Sequence, residues 1–214
     1  MVKGEFKDGT ILQEKLSRGT LRKVLYTNDR IYKHFTMVKW PGDLRKPWRL
    51  EASALKFLQE KGIECPQLVS LHESSGEAEL CKEFVVGEPL SKVSMSNVEL
   101  VAATLARINA AGVFTCDPHV GNFLEVATDK ITFIDFGRSR IYRTRSLFFL
   151  LYLGKERARI AHLLLPGTEG HVKEAFWNAY TESLGVINDP ASIAVISEKY
   201  WLKRMDRRAL GKEK

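Results

Sequence analysis

Two short polar segments in the middle of the chain constrain its fold more than any other feature. Residues 116–122 are Cys-Asp-Pro-His-Val-Gly-Asn, and residues 134–137 are Ile-Asp-Phe-Gly. Asp117 and Asn122 are five residues apart, and Asp135 follows thirteen residues after Asn122. Carboxylate and amide oxygens are ligands that suit Mg²⁺. The ordered pair therefore predicts a loop with a catalytic carboxylate and a second turn that holds a metal ion.

Size and charge narrow the class of protein. The 214 residues fit one large domain or two small lobes, and the 44% hydrophobic content supports a sizeable core. The net charge of +7 indicates an anionic partner, such as a nucleotide, a phosphosugar or a membrane surface. Nucleic acid is not expected as a partner, because the sequence carries no nucleic-acid-binding motif.

The chain is expected to stay inside the cell. Residues 1–8 lack the apolar core of a signal peptide. The most apolar run, residues 147–153, is much shorter than the roughly 20 residues of a membrane-spanning helix, and it predicts a buried helix. Three cysteines (Cys65, Cys81 and Cys116) lack metal-type spacing and are interpreted as reduced thiols.

The first part of the chain predicts strands and one helix. β-prone stretches in residues 5–35 are interrupted at 18–20 and 27–29 by turn residues. A helix is predicted over 46–61, with Pro47 in its first turn. Residues 66–72 and 77–86 predict a strand pair, joined by a turn at 74–76.

The second part predicts mainly helices. A helix over 96–111 has a buried stripe at helical spacing, and Ser96 with Glu99 predicts a capping box. Two short strands are expected in 123–134. Further helices are predicted over 146–164, around 172–185 and over 190–210. The pattern predicts an α+β fold of two lobes, residues 1–86 and 87–214, which together form one domain.

The order and spacing of the two polar segments match the catalytic loop and metal turn of phosphotransferases with a kinase fold. Asp117 is the candidate base for the acceptor hydroxyl, and Asn122 and Asp135 are the candidate magnesium ligands. Lys33, in the middle of a predicted strand, is the candidate for gripping the ATP phosphates, and Glu51 is its ion-pair partner. The alternatives are turn residues for the loop positions and an ordinary edge-strand lysine for Lys33.

Weaker signals point to the remaining contacts. The hairpin at Gly19 and Thr20 is a candidate nucleotide-binding turn through its backbone amides, although a protein kinase has more glycines there. Residues 83–86 fall where a kinase contacts adenine through its backbone, which makes Glu83 and Val85 candidates.

Candidates for acceptor binding follow the two polar segments. His119 either holds its own loop together or helps to place the substrate. Guanidinium groups after the second segment could hold an anionic acceptor through forked hydrogen bonds, unless they form an ordinary solvated strip (Arg138, Arg140, Arg143 and Arg145).

These motifs resemble those of the bacterial lipopolysaccharide core kinases, the Kdo/heptose kinase group of the protein-kinase-like superfamily. The residues that carry the resemblance are Ser17–Arg22, Ile31–His34, Arg49–Leu55, Gly62–Pro66, Cys116–Phe123 and Ile134–Gly137. The resemblance covers roughly residues 10–165. It implies a two-lobed kinase fold with a small β-rich N-lobe and a reduced helical C-lobe.

The resemblance also implies an activity and a location. The expected reaction is transfer of phosphate from ATP, with Mg²⁺, to a sugar hydroxyl of the lipid A–core acceptor. The expected location is cytoplasmic, on the inner face of the inner membrane. The basic C-terminal segment (Lys199, Lys203, Arg204, Arg207, Arg208, Lys212 and Lys214) would then contact anionic lipid, unless it serves only as a solubilising tail.

Departures from protein kinases leave two alternatives open. No Arg directly precedes Asp117, and no Ala-Pro-Glu follows the Asp-Phe-Gly, so a peptide-binding platform is not expected. One alternative is an atypical serine/threonine kinase like the small kinase of the tRNA-threonylcarbamoyl machinery, although Pro118 and His119 depart from its usual loop. The other is a nucleotide-binding pseudokinase.

Overall fold

Two tight turns organise the start of an antiparallel sheet. Strands β1 (Thr10–Ser17), β2 (Thr20–Thr27) and β3 (Arg30–Met37) pair in sequence order. The turn residues Arg18–Gly19 and Asn28–Asp29 all have positive φ. Two-residue hairpin loops favour this backbone because it matches the twist of the strands. The interruptions predicted from the sequence are therefore confirmed.

The sheet is completed by β4 (Leu68–Ser74) and β5 (Glu77–Glu83), in the spatial order β1-β2-β3-β5-β4. β3 is thus paired on both sides, with β2 and with β5. The alternative interpretation of Lys33 as an edge-strand lysine is wrong, because its strand lies in the centre of the sheet.

Helix α1 (Pro47–Glu60) packs on β4 and β5. Pro47 occupies its first turn, as predicted. The buried face contains Ala54, Leu55 and Leu58 together with the carboxylate residue Glu51. A buried carboxylate on the core-facing side of a helix requires a partner of opposite charge.

Helix α2 (Val98–Ala110) follows the two-residue strand β6 (Glu88–Pro89). Its whole predicted stripe is buried (Val98, Val101, Ala102, Leu105 and Ile108). The predicted capping box is wrong. Asn97 precedes the helix, and its side-chain oxygen accepts a hydrogen bond from the Ser94 amide, while the Ser96 hydroxyl bonds with the Ser94 hydroxyl. These short polar side chains therefore bond within the segment that precedes the helix instead of capping its first turn.

Short strands flank the first polar segment. β7 (Val113–Phe114), which was not predicted, precedes it. The hairpin of β8 (Phe123–Ala127) and β9 (Lys130–Phe133) follows it, and these two strands are as predicted. β10 (Arg140–Ile141) pairs with β7. The segment is therefore held between paired strands at both of its ends.

The remaining helices are α3 (Leu147–Arg159), continued by a π-helical turn at Ile160–Leu164, α4 (Gly170–Leu184) and α5 (Ser192–Leu210). α3 and α5 approach closely at Gly154, where an added Cβ would lie 2.1 Å from the carbonyl oxygen of Ala194. Only glycine fits at this crossing.

The prediction that the apolar run at residues 147–153 forms a buried helix is only partly right. Phe149, Leu150 and Leu153 are buried, but Leu147 is 57% exposed and Phe148 is 61% exposed. The run begins a helix that presents one side to solvent, so it is only partly a core helix. Within the described residues, no helix has both the length and the apolar character needed to cross a bilayer.

The computed structural model describes residues 9–185 and 192–210. They divide into a first unit, residues 9–88 with 134–138, and a second unit, residues 89–133 with 139–185 and 192–210. The second polar segment, 134–137, thus groups with the sheet and α1. Residues 1–8, and with them the predicted lack of a signal peptide, lie outside the described residues, as do Lys212 and Lys214.

Candidate active site

A buried ion pair joins β3 to α1 in the first unit. The Lys33 Nζ lies 2.8 Å from Oε1 and 2.7 Å from Oε2 of Glu51. The two side chains are only 8% and 1% exposed. Buried charges persist only when they are paired, so each holds the other in place. The structure thus brings together the predicted partners.

Asp135 extends this pair into the second polar segment. Its Oδ1 accepts hydrogen bonds from the Lys33 Nζ at 3.2 Å and from the Gly137 amide at 3.1 Å. Burial alone would raise the pKa of Asp135, but the positive charges of Lys33 and Lys82 hold it well below its usual range. The side chain remains 32% exposed. An ionised, partly exposed carboxylate is a suitable ligand for Mg²⁺.

Lys82 is a fourth member of the network, which the sequence interpretation missed. Its Nζ donates to Oε1 of Glu51 at 2.7 Å and to the carbonyl oxygen of Ile134 at 2.5 Å. The residue is 4% exposed. Burial and the nearby charge of Lys33 lower the pKa of Lys82. By contrast, the carboxylates of Asp135 and Glu51 outweigh the effect of burial on Lys33 and raise its pKa.

The first polar segment forms a loop with its own hydrogen bonds in the second unit. The His119 amide donates to the Asp117 carbonyl at 2.7 Å, and the side-chain amide of Asn122 donates to the same carbonyl at 3.0 Å. The His119 Nδ1 accepts from the Gly121 amide. His119 therefore has a structural task in its loop. An Asn that donates through its nitrogen can still offer its oxygen to a cation.

Glu156 anchors the residues just before Asp117, and it too was missed. Its Oε1 accepts from the Thr115 amide at 2.9 Å and from the Thr115 hydroxyl at 2.6 Å. Both of its oxygens accept from the Cys116 amide at 3.1 Å. Glu156 is fully buried, on α3. The backbone of Cys116 has φ 62°, a strained value for a residue other than glycine, which these bonds help to maintain.

Burial raises the pKa of the Cys116 thiol to about 11, so this thiol is not proposed as a nucleophile at neutral pH. We therefore expect only about one molecule in a thousand to carry the thiolate at pH 8. Native protein should resist iodoacetamide at Cys116 at that pH, and labelling should rise about tenfold with each pH unit up to 11. Mass spectrometry of the labelled peptide tests this. Protein unfolded in guanidinium is the control and should label readily; rapid labelling of the native thiol at pH 8 would contradict it.

The predicted phosphate hairpin has another structural role. The Gly19 carbonyl accepts from the amides of Val38 and Lys39, and the Thr20 hydroxyl accepts from the Asp43 amide at 2.7 Å. A Cβ on Gly19 would lie 2.5 Å from the Lys39 carbonyl oxygen. Thr20 is buried. Both residues thus hold the segment between β3 and α1, and nucleotide binding by their amides stays a prediction.

The predicted adenine-contacting segment is fixed at its start. The Glu83 amide donates to the Gln67 carbonyl at 2.8 Å, and the Phe84 amide donates to the Asp29 carbonyl at 3.1 Å. Phe84 also packs edge-on against Tyr26. These contacts fix the backbone where the chain leaves β5. Contact of Glu83 and Val85 with adenine stays a prediction.

The predicted acceptor-binding arginines occupy different surroundings. Arg138 and Arg143 are exposed, and Arg138 belongs to the first unit. Arg140 is half-buried on β10, and its Nη1 donates to the Ser139 carbonyl. Acceptor binding by these residues and by His119 stays a prediction.

Comparisons with known proteins give one matching domain family and structures of similar fold. The ABC1 atypical kinase-like domain matches residues 50–153. An inhibitor-bound structure of WbdD has a TM-score of 0.51 at 17% identity, covering 92% of this chain and 45% of that one. A structure described as the bifunctional kinase-methyltransferase WbdD has a TM-score of 0.50 at 18% identity, covering 86% and 42%. No curated protein matches the sequence.

The chain spans less than half the length of the WbdD chains that it resembles. At these identities the likeness concerns the fold, and it agrees with the five-stranded antiparallel sheet, the helix packed on it and the helical second unit. The prediction of an α+β, kinase-like fold is confirmed. The chain has a protein-kinase-like fold whose central part resembles the ABC1 atypical kinase-like domain.

Proposed function

We propose that this chain is an ATP-dependent, magnesium-requiring phosphotransferase that phosphorylates a sugar hydroxyl of the lipopolysaccharide inner core. The observation that carries the phosphotransferase proposal is the buried Lys33–Glu51 pair in contact with Asp135. Phosphoryl transfer needs mainly positioned charges, and this network holds a cation and an ionised carboxylate side by side.

The side chains fit ATP and Mg²⁺. Lys33 supplies a cation for the phosphates, and the Asp135 carboxylate and the Asn122 amide oxygen are suitable magnesium ligands. Magnesium would neutralise the charge of the transferred phosphoryl group. Asp117 would accept the proton of the acceptor hydroxyl. Glu51 and Glu156 would act through the residues that they hold, Lys33 and the loop before Asp117.

The acceptor class rests on the sequence. The loop at 116–123 resembles that of the lipopolysaccharide core kinases, and the net charge of +7 favours an anionic acceptor. Arg138, Arg140 and Arg143 are proposed to contact its phosphates or carboxylates.

We also propose that the second unit contacts the anionic membrane that contains such an acceptor. Leu147 and Phe148 are exposed at the start of α3, which begins two residues after Arg145 and four after Arg143. Apolar side chains beside cationic ones favour the boundary between lipid headgroups and acyl chains. The basic end of α5 would add to the attraction.

The test is transfer of labelled γ-phosphate from Mg-ATP to core-truncated lipopolysaccharide in anionic vesicles, with a protein extract in parallel. Asp117→Ala serves as the blank. We expect label in the lipopolysaccharide, lost in the variant, and pelleting of the protein with the vesicles. Label only in protein would replace this proposal with the atypical protein kinase. ATP binding without transfer to any acceptor would support the pseudokinase.

A further inference from the structure

Four charged side chains meet in the first unit, and the proposed reaction assigns a task to only three of them. Lys33, Glu51 and Asp135 have roles in holding ATP and metal. Lys82 has none, yet it is buried and makes two direct hydrogen bonds in the same network. Burying a lysine is costly unless its charge is paired, so its presence here calls for an explanation.

The pairing of β3 with β5 places Lys82 beside Lys33. Lys33 lies opposite Leu80, and Ile31 lies opposite Lys82. Residues two apart along a strand point to the same face of the sheet, so both lysines project from one face towards Glu51 on α1. Lys82 is the one lysine of β5, and it directly precedes Glu83, where the segment 83–86 that is predicted to contact adenine begins.

The two bonds of Lys82 reach different parts of the chain. One goes to the Glu51 carboxylate, 31 residues away in sequence, and the other to the Ile134 carbonyl, 52 residues away. Ile134 directly precedes Asp135. Lys82 thus links the helix that orients Lys33 to the turn that carries the candidate metal ligand.

Lys82 also balances charge. With it, two lysines face the two carboxylates of Glu51 and Asp135. Without it, Lys33 would be the only lysine of the network facing both carboxylates. Their field would then repel ATP or ADP phosphates more strongly unless Mg²⁺ accompanied them.

We propose that Lys82 is a positioning residue for phosphotransfer, which holds Glu51 and the backbone before Asp135 together and so keeps Lys33 available for nucleotide phosphates. This inference rests on the proposed function. Lys82 is not expected to touch the reacting atoms; it acts through Glu51 and through the Ile134 carbonyl.

The experiment is a double-mutant cycle with Lys82→Met and Glu51→Gln. Methionine keeps an unbranched chain without the charge, and Lys56→Met on the exposed side of α1 is the matched control. Binding of fluorescent ADP is measured with EDTA and with Mg²⁺, and kcat and KM are measured with Mg-ATP. If Lys82→Met does not fold, Lys82→Gln takes its place in the same cycle.

We expect Lys82→Met to lower kcat by about a hundredfold, the usual loss when a supporting contact lets a reacting group shift. It should weaken ADP binding more in EDTA than in Mg²⁺, whereas Lys56→Met should change neither. The effects of Lys82→Met and Glu51→Gln should be strongly non-additive, because both act on one network. Additive effects, or a loss of ADP affinity equal with and without Mg²⁺, would overturn the inference.

The measurements of ADP binding distinguish a failure of this inference from a failure of the proposed function. Wild-type protein that binds ADP but transfers phosphate to no acceptor would refute the function, while the ADP cycle would still decide the role of Lys82. Normal transfer by Lys82→Met would refute the role of Lys82 alone.

Discussion

Asp135→Asn is expected to lower the rate of phosphotransfer by about a thousandfold or more, while the protein stays folded. A metal ion that neutralises transition-state charge contributes several kcal/mol, and each 1.4 kcal/mol is a factor of ten in rate. Asparagine keeps the shape of the side chain and can still accept from the Gly137 amide. It removes the anionic ligand, so the loss should come from weaker metal binding at the transition state.

The same substitution changes how stability depends on pH. The pKa of Asp135 is held far below its usual range, so its ionised form stabilises the folded protein above about pH 4, the value of an unfolded aspartate. That contribution is lost only as the pH falls below this value towards the lowered pKa. Wild type should therefore be more stable than Asp135→Asn at pH 7, and the difference should shrink in strong acid.

The measurement is transfer of γ-phosphate as a function of Mg²⁺ concentration, together with thermal melting at pH 7 and below pH 4. Asp129→Asn, in the exposed turn between β8 and β9, is the matched control and should behave as wild type. Transfer by Asp135→Asn at more than a tenth of the wild-type rate, with unchanged magnesium dependence, would remove Asp135 from the proposed metal site.

The elements with a regular pattern could be predicted from the sequence. The stripe of α2 is predictable because apolar residues recur at helical spacing. The hairpins are predictable because polar and glycine residues mark their turns. The pairing of Lys33 with Glu51 is predicted by the order of the motifs, and no local sequence feature indicates the contact. The structure then brought them to 2.7 Å.

The residues that were missed act over long sequence separations. Lys82 contacts Glu51 across 31 residues, and Glu156 contacts Thr115 across 41. No periodicity marks such a pair, because only the fold brings the two segments together. The sequence carries a weak signal for Lys82. It lies two residues after Leu80 and four after Ala78, so all three share the buried face of β5, where a lysine needs a partner. Nothing local distinguished Glu156 from other helical glutamates.

Glu156→Ala is expected to destabilise the fold strongly. It removes the acceptor for the Thr115 amide and hydroxyl and for the Cys116 amide, all of which are buried. Each unsatisfied buried donor costs about 1–3 kcal/mol, so a total loss of about 4 kcal/mol is expected. For a chain of this size such a loss lowers Tm by about 8–16 °C.

A second substitution, Glu156→Gln, separates the loss of the buried charge from the cavity that alanine would leave. Glu156→Gln keeps one acceptor oxygen and nearly the same volume, but it loses the charge that strengthens the bonds and attracts Arg159, 3.3 Å away. It should cost about 1–2 kcal/mol, the difference between charged and neutral hydrogen bonds. Glu174→Ala, on the exposed side of α4, is the control and should melt as wild type.

Substitution of Glu156 should lower the rate of phosphotransfer even at temperatures where the variant is fully folded. Thr115 and Cys116 directly precede Asp117, and Cys116 holds a left-handed backbone that Glu156 helps to fix. Glu156→Gln, measured well below its Tm, should therefore lower kcat by about ten- to a hundredfold with little change in KM for ATP, because a shifted base affects the transition state more than nucleotide binding. A Glu156→Gln variant with wild-type kcat would show that the loop keeps Asp117 in place without this charge, and wild-type melting of Glu156→Ala would show that the buried bonds contribute little.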